Sequence, residues 1–351
     1  MERLTAIDLF AGAGGATAGL LLAGCDVRLA VECDEDAVAT YSANFAGVQV
    51  LPDLVESYTP SYILEKARLE RGALDIISAC PPCQGFSTLG KCDPDDERND
   101  YVVRVGALVA ELGPKALILE NVSGLRRDER SSRLKHLLRS LGYGVNSWVI
   151  DATQLCVPQR RTRFVLIAVL GLTDDEVSDP RSNYRCSDWP RHPHTVRDVL
   201  EALRPLSRRD ALHSARRLPP AVLERVRAIP HDGGSRQSLP EHLQLGCHKR
   251  LGDRGARSSY GRMAWDEPAP TITTRCTTPA CGRFLHPEED RPITLREAAA
   301  FQTFPPDFRW EGGVMAVARH IGNAVPVRLG HLLAVHTIRL IGLAEARFGS
   351  S

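Results

Sequence analysis

The opening stretch constrains the fold more than any other part of the chain. LTAIDLF is an apolar run of strand length, and it leads straight into the glycine-rich turn AGAGG. An apolar stretch with helical spacing follows, from Ala16 to Ala23, and then a second apolar run, VRLAVE. Strand, glycine turn, helix and strand in that order make a βαβ opening. The rhythm continues. DEDAVATYSANF begins with an acidic cap and reads as a helix, while VQVL, DIISA, KALILE and RFVLIAV are further runs of strand length. Helical patterns at Tyr101 to Leu112 and Arg133 to Leu141 lie between them. Such alternation predicts an α/β fold, a mostly parallel sheet with helices on both faces.

Past about Leu172 the sequence turns to Pro, Arg, His and Ser with short, poorly periodic pieces, which predicts a second, smaller module of loops and small strands. A clean helical pattern, TLREAAAFQTF, resumes at Thr294, and from Ile321 the chain supplies IGNAVPV and a final apolar helix. The expected division is 1–175, 176–288 and 289–351, the last returning to the first domain. With 351 residues, two domains suit typical domain sizes of about 100 to 200 residues.

Charge separates the same two parts. The net charge is only +1, but residues 181–262 hold 17 Lys and Arg against 8 Asp and Glu. Nearly all of that excess is Arg, whose planar fork suits phosphate and guanine edges. The ten cysteines are scattered, and with no export signal they are expected as free thiols in a reducing compartment. No apolar run approaches the roughly 18 residues of a membrane helix, so the expectation is a cytoplasmic protein without membrane contact.

The glycine turn has Gly12, Gly14 and Gly15 but Thr17 where GxGxxG needs a third glycine, which disfavours a pyrophosphate-binding NAD site. Glu32 lies 20 residues beyond Gly12 at the end of the second strand, where an acid in such folds accepts from ribose hydroxyls. A nucleoside cofactor without pyrophosphate fits both facts, and S-adenosylmethionine is the common one. Asp53, just past the third strand, is placed to accept from the adenine amine.

DIISACPPCQGFSTLG then carries a strand into a loop with Cys80 and Cys83 spaced as CxxC. A redox pair, half a zinc site and a single nucleophile compete. No second CxxC completes a zinc knuckle, and two prolines between the cysteines are odd for a thioredoxin-like protein, which leaves the nucleophile. Cys247, His248, Cys276, Cys281 and His286 fit no standard zinc spacing, so no metal is expected.

At this point a resemblance becomes specific. DLFAGAGG from Asp8, PPCQGFS from Pro81, ENV from Glu120, QRRTR from Gln159, RE at Arg296 and Glu297, and GNAVP from Gly322 are similar to the ordered motifs of the DNA cytosine-5 methyltransferases. The resemblance implies a Rossmann-like S-adenosylmethionine-dependent sheet, with the basic segment as target-recognition domain. It implies Cys83 as the nucleophile that attacks C6 of a flipped-out cytosine, with the methyl group then passing from S-adenosylmethionine to C5. Glu120 would supply a proton at N3, while Arg163, with Arg161 nearby, would hold the O2 side and the cysteine loop. The cofactor set would be Phe10, Ala11, Gly12, Gly14, Gly15, Glu32, Asp53, Pro82, Tyr101, Asn323 and Val325, and residues 84–100 would close over the base. Two departures are Ala16, where many relatives carry a Phe lying against adenine, and Cys33 beside Glu32.

Duplex DNA is the expected partner, bound by a monomer near the nucleoid. The enzyme would work either with a cognate restriction endonuclease or as a solitary methyltransferase. The alternatives are a tRNA cytosine-5 methyltransferase and a catalytically silent DNA-binding regulator.

Overall fold

The computed structural model describes residues 3–82, 100–182, 184, 194–205, 210–251 and 258–348. By contacts the chain divides into two units, 1–155 with 162–188 and 325–351, and 156–161 with 189–324. By contacts the chain returns to the first unit at Val325.

In the first unit the chain runs β1 (Thr5–Leu9), α1 (Gly15–Leu22), β2 (Asp26–Val31), α2 (Glu35–Asn44), β3 (Gln49–Leu51), α3 (Pro60–Ala67) and β4 (Ile76–Ala79). It continues with α4 (Tyr101–Leu112), β5 (Ala116–Val122), α5 (Glu129–Ser140), β6 (Tyr143–Asp151) and β7 (Thr162–Leu170). The sheet order is β3-β2-β1-β4-β5-β7-β6. The first five strands are parallel, while β7 is antiparallel to β5 and to β6. β6 has no counterpart among the strands expected from sequence. Among the described residues it lies at the edge and pairs only with β7, and its middle residues are half-buried, which dilutes the apolar signal.

Local chemistry sets the helix starts. Asp34 accepts from the Ala37 N–H at the head of α2, and Thr59 accepts from the Tyr62 N–H at the head of α3, which has Pro60 as its first residue. Gly113 ends α4 at φ 64°, a left-handed conformation suited to glycine. Beneath these helices the sheet strands are almost wholly apolar and buried, as strands covered on both faces must be.

The second unit is built of α6 (Val196–Leu203), α7 (Pro220–Arg227), α8 (Gly246–Leu251), α9 (Leu295–Phe301) and α10 (Val314–Asn323), joined by short turns. Instead of the small strands expected there, the described residues hold only isolated bridges such as Arg262 with Leu285. A small core of Val226, Ile229, Leu239, Leu243, Tyr260 and Leu285 is supplemented by a buried cation. The Arg262 side chain is fully buried and donates to the carbonyls of Val226, Ile229, His286 and Glu289 and to Asp290. A guanidinium with its donors satisfied in this way holds irregular backbone that no strand ladder would fix.

The last helix, α11 (Val327–Phe348), returns to the first unit. The stretch Val314–Arg347 is long and apolar enough to cross a membrane by length and composition, contrary to the sequence expectation. Yet 61% of its most apolar window is buried inside the protein, and α11 lies against α1 and β7. Its apolar character is thus used in a protein core. Helices α1 and α11 cross at close range because both offer glycine. A Cβ on Gly19 would meet His331 N at 2.4 Å, and one on Gly330 would meet Ala16 Cα at 3.3 Å. Gly19→Ala is therefore expected to cost about 2 kcal/mol, because backbone rather than a side-chain tip must move. Urea unfolding of the variant checks this, and an unchanged midpoint would show the crossing to be pliable.

Candidate active site

Sheet register creates the site in the first unit. Leu9 pairs with Val31 and with Ala79, Val31 with Leu51, and Ala79 with Leu119. The next residues beyond that row are Phe10, Glu32, Pro52, Cys80 and Glu120, so four loops and the end of β5 present chemically different groups side by side at one edge. This is the carboxyl edge of the parallel strands. The strand order also reverses between β1 and β4, making the crevice where such sheets bind ligands.

On the β1 side, Phe10 and Gly12 have φ of 59° and 55°, and Gly14 caps α1 at φ 92°. The Gly14 conformation and its surroundings both demand glycine, since a Cβ there would lie 2.2 Å from the Phe45 ring. At Gly12 a Cβ would meet nothing within 4 Å, so this part of the turn faces open space. Ala11 donates to the Val31 carbonyl at 3.1 Å, and the Gly12 N–H donates to Glu32 Oε2 at 2.7 Å. The other Glu32 oxygen accepts from the N–H groups of Cys33 and Asp34. Gly15 is the first residue of α1. Phe10 meets Tyr101 edge-on with ring centroids 5.4 Å apart, and the Tyr101 hydroxyl donates to Glu56 at 2.5 Å. That bond pushes the Tyr101 hydroxyl up to about 12. Asp53 is exposed, and one oxygen accepts from the Leu54 N–H.

On the β4 and β5 side, Arg163 sits opposite Val122 in the antiparallel pair, which puts it on the same face as Glu120 two residues away. Arg163 Nε lies 3.0 Å from Glu120 Oε1, and both side chains are largely buried. The N–H is not aligned on that oxygen, which is left without a hydrogen bond among the described residues. Burial pulls the Arg163 guanidinium down from its ordinary value, and the neighbouring carboxylate of Glu120 opposes that shift. The Asn121 amide donates to the Pro81 carbonyl at 2.9 Å, tying the cysteine loop to β5. Pro82 is half-buried, while Cys83 and nearly all of the 84–100 segment lie outside the described residues. Cys80 is a poor nucleophile: burial first, then the charges of Glu120 and Asp8, push its thiol well up. Val325 is buried beside it and, with Cys80, Glu120 and Ala16, lines a small cavity under this edge. Ala16 thus faces the α11 side of α1.

Asp8 is fully buried, and desolvation raises its carboxyl to about 6. A pKa above the ordinary 3.8 means that the fold favours the protonated acid. Its contribution is neutral at low pH, becomes unfavourable as pH rises between those values, and costs about 3 kcal/mol above the upper one.

Arg161 and Asn323 belong to the second unit. Arg161 is buried and donates to the carbonyls of Ile272, Gly322 and Ala324, so it braces that unit's backbone, and Asn323 is exposed at the end of α10. Gln159 strengthens the same brace through Phe301, Gln302 and Ile272. Several arginines of the basic stretch are also committed. Arg197 pairs with Asp266 and lies 5.2 Å over the Trp265 ring, and Arg225 donates to the Leu243 carbonyl. Arg204, Arg216 and Arg217 are exposed and make no ion pair among the described residues. Of the cysteines, Cys156 is disulfide-bonded, contrary to the expectation of free thiols throughout, while Cys25, Cys33, Cys80, Cys247, Cys276 and Cys281 are free.

The profile of the C-5 cytosine-specific DNA methylase family matches residues 4–338. The chain belongs to this family. Among its relatives is the Type II methylase M.HgiDII of Herpetosiphon aurantiacus, 35% identical across 97% of this chain and 96% of that protein. The Type II methyltransferase M.Eco47II of Escherichia coli is 31% identical across 98% of this chain and 81% of its own length. A crystal structure of a prophage-encoded DNA modification methyltransferase from E. coli superposes with a TM-score of 0.72 at 25% identity, covering 97% of this chain and all of that one. The Dnmt2 methyltransferase of S. pombe shares the fold, with a TM-score of 0.65 at 17% identity over 96% of this chain and 99% of its own.

In this methylase, three contributors escaped sequence reasoning. Asn121 was visible only as the middle of ENV, Asp8 only as the start of a motif, and Thr17 only as a missing glycine. The roles of all three depend on partners distant in sequence or in another element. The Glu120–Arg163 pair makes its own prediction. Arg163→Met should lower stability by about 3 kcal/mol because it leaves a buried carboxylate unpaired, and adding Glu120→Gln should recover most of that loss. Denaturant unfolding of the single and double variants checks the coupling; equal losses would mean that the pair is solvated.

Proposed function

We propose that this methylase transfers a methyl group from S-adenosylmethionine to C5 of a cytosine flipped out of a specific duplex DNA sequence, through a covalent Cys83 adduct at C6. The observation that carries the reading is the single row at the carboxyl edge of the sheet, where the glycine turn and Glu32 stand beside the Glu120–Arg163 pair.

The residues of the first unit fit the cofactor. The open side of Gly12 leaves room for it, Glu32 retains acceptor capacity for ribose hydroxyls, and the exposed Asp53 can accept from the adenine amine. Phe10 and Tyr101 provide apolar ring surface, with Ala11, Gly14, Gly15, Pro82 and Val325 shaping the walls. When bound, the sulfonium supplies an electrophilic methyl group.

The protein's own residues do the rest. Cytosine C5 is a weak nucleophile, so Cys83 as thiolate adds to C6 and gives C5 enamine character. Negative charge then develops towards N3 and O2. Glu120, taking up a proton when the site closes on the base, donates it at N3, while Arg163 stands by the O2 side and its charge stays next to Glu120 throughout. Arg161 contributes indirectly, as the brace that holds 272 and 322–324. Water then takes the C5 proton, Glu120 recovers its proton from N3, and elimination of the thiolate restores aromaticity and releases Cys83. The second unit is the target reader, with Arg204, Arg216 and Arg217 available for phosphate contacts. A cognate endonuclease is a natural counterpart, given that the relatives are Type II methylases.

Methyl transfer from labelled S-adenosylmethionine to mixed-sequence duplex DNA, with total tRNA in parallel, tests the reading. It expects 5-methylcytosine in DNA by mass spectrometry; product confined to tRNA would overturn the choice of substrate. Cys83→Ser should abolish turnover and keep cofactor binding, and near wild-type turnover would sink the covalent step. Reversing Arg204, Arg216 and Arg217 to Glu should weaken DNA binding and flatten its salt dependence while leaving cofactor affinity unchanged. Equal loss of cofactor affinity would show that the domain roles are misassigned.

A further inference from the structure

Thr17 stands where a dinucleotide-binding turn has its third glycine, and its hydroxyl is fully engaged. It lies 2.7 Å from Asp8 Oδ2 on β1 and 2.8 Å from the Tyr41 hydroxyl on α2, and all three residues are fully buried. Thr17 has one proton to give, and the ionised carboxylate can only accept. The bonds therefore run in one direction, from Tyr41 to Thr17 and from Thr17 to Asp8.

The three elements joined are those that deliver the turn. β1 runs into Phe10 and Gly12, α1 starts behind Gly14, and α2 starts three residues after Glu32. Tyr41 also forms part of the floor, since a Cβ on Gly14 would lie 3.0 Å from its ring. Such a chain is not what packing alone favours. Apolar side chains of the same shape would fill this space without burying a carboxylate. The groups whose charge or hydrogen bonding bears on Asp8 are Thr17, Ser78 and Glu32, while Tyr41 and Cys80 in turn feel its charge; no cation is among them. One Asp8 oxygen also lacks a hydrogen bond among the described residues. The fold thus keeps behind the glycine turn a buried carboxyl steadied by hydrogen bonds rather than by a cation.

We propose that Asp8, Thr17 and Tyr41 are positioning residues that hold the glycine turn in its cofactor-binding geometry and make the affinity for a cationic nucleoside cofactor depend on the charge of Asp8. This rests on the proposed use of S-adenosylmethionine, whose sulfonium is the cation in question. A bound cation stabilises the ionised carboxylate, so by linkage the ionised carboxylate strengthens cation binding. Affinity should fall as pH is lowered through about 6, where Asp8 takes up its proton.

The test is calorimetric titration of S-adenosylmethionine into the full-length wild type, Thr17→Val, Thr17→Ser and Asp8→Asn, across about pH 5 to about pH 8.5. Losing one hydrogen bond to a charged group predicts about tenfold weaker binding for Thr17→Val, with Thr17→Ser restoring it. Asp8→Asn should bind weakly with a flat pH profile, and at the alkaline end it should melt no lower than wild type. A purely structural role predicts the reverse, with lowered melting temperatures and unchanged affinity in whatever remains folded. If Thr17→Val and Asp8→Asn bind as wild type does, with its pH profile, the proposal is overturned. If the wild type binds no S-adenosylmethionine at any pH, the cofactor reading falls and the proposal with it, so the wild-type titration tells the two failures apart.

Discussion

Parallel pairing in register is the constraint on which the rest of this structure depends. Because Leu9, Val31, Leu51, Ala79 and Leu119 form one row, the residues that follow them emerge together at a single edge. The glycine turn, the Glu32 carboxylate, the Cys80–Pro82 segment and Glu120 are thereby brought to one edge although they are far apart in sequence. The antiparallel β7 adds what parallel strands could not. Its N-terminal end meets the C-terminal end of β5, which delivers Arg163 to Glu120 from a segment 43 positions later.

Charge at this edge is unevenly balanced. Asp8 and Glu120 are both buried carboxyls, and both raise the Cys80 thiol, whereas Arg163 is the cation recorded beside Glu120. Cys80 is held neutral by its neighbours and suits packing better than attack. Arg262 and Arg161 in the second unit serve the opposite purpose. Both are buried and donate to several backbone carbonyls, so part of the arginine in this unit serves as internal scaffolding.

Much of the fold could be read directly. The helix expected from Tyr101 to Leu112 is found with those bounds, because its apolar spacing and the glycine that stops it are local features. The central strands β1, β4 and β5 are legible for the same reason: each is largely a continuous apolar run, as strands buried on both faces must be. β6 is not, since an edge strand with half-exposed middle residues carries a weak pattern. The second unit is misread as small strands because its turns are held by buried guanidinium groups and short helices, and neither has a periodic signature. Ala16 shows the limit in the site itself. In sequence it looks like a gap in the cofactor pocket, and only the position of Gly330 reveals that it borders α11.

The sequence by itself determined the βαβ opening, the chemical types at the strand ends and the family, because these rest on local spacing and on motifs in a fixed order. Tertiary structure alone decided that β7 runs antiparallel, that Arg163 pairs with Glu120 while Arg161 turns into a brace, and that Thr17 hydrogen-bonds with Asp8 and Tyr41. The physical reason is the same in each case. Strand pairing and buried hydrogen bonds join residues whose separation along the chain carries no periodic trace, so their partners exist only once the sheet and its helices have closed.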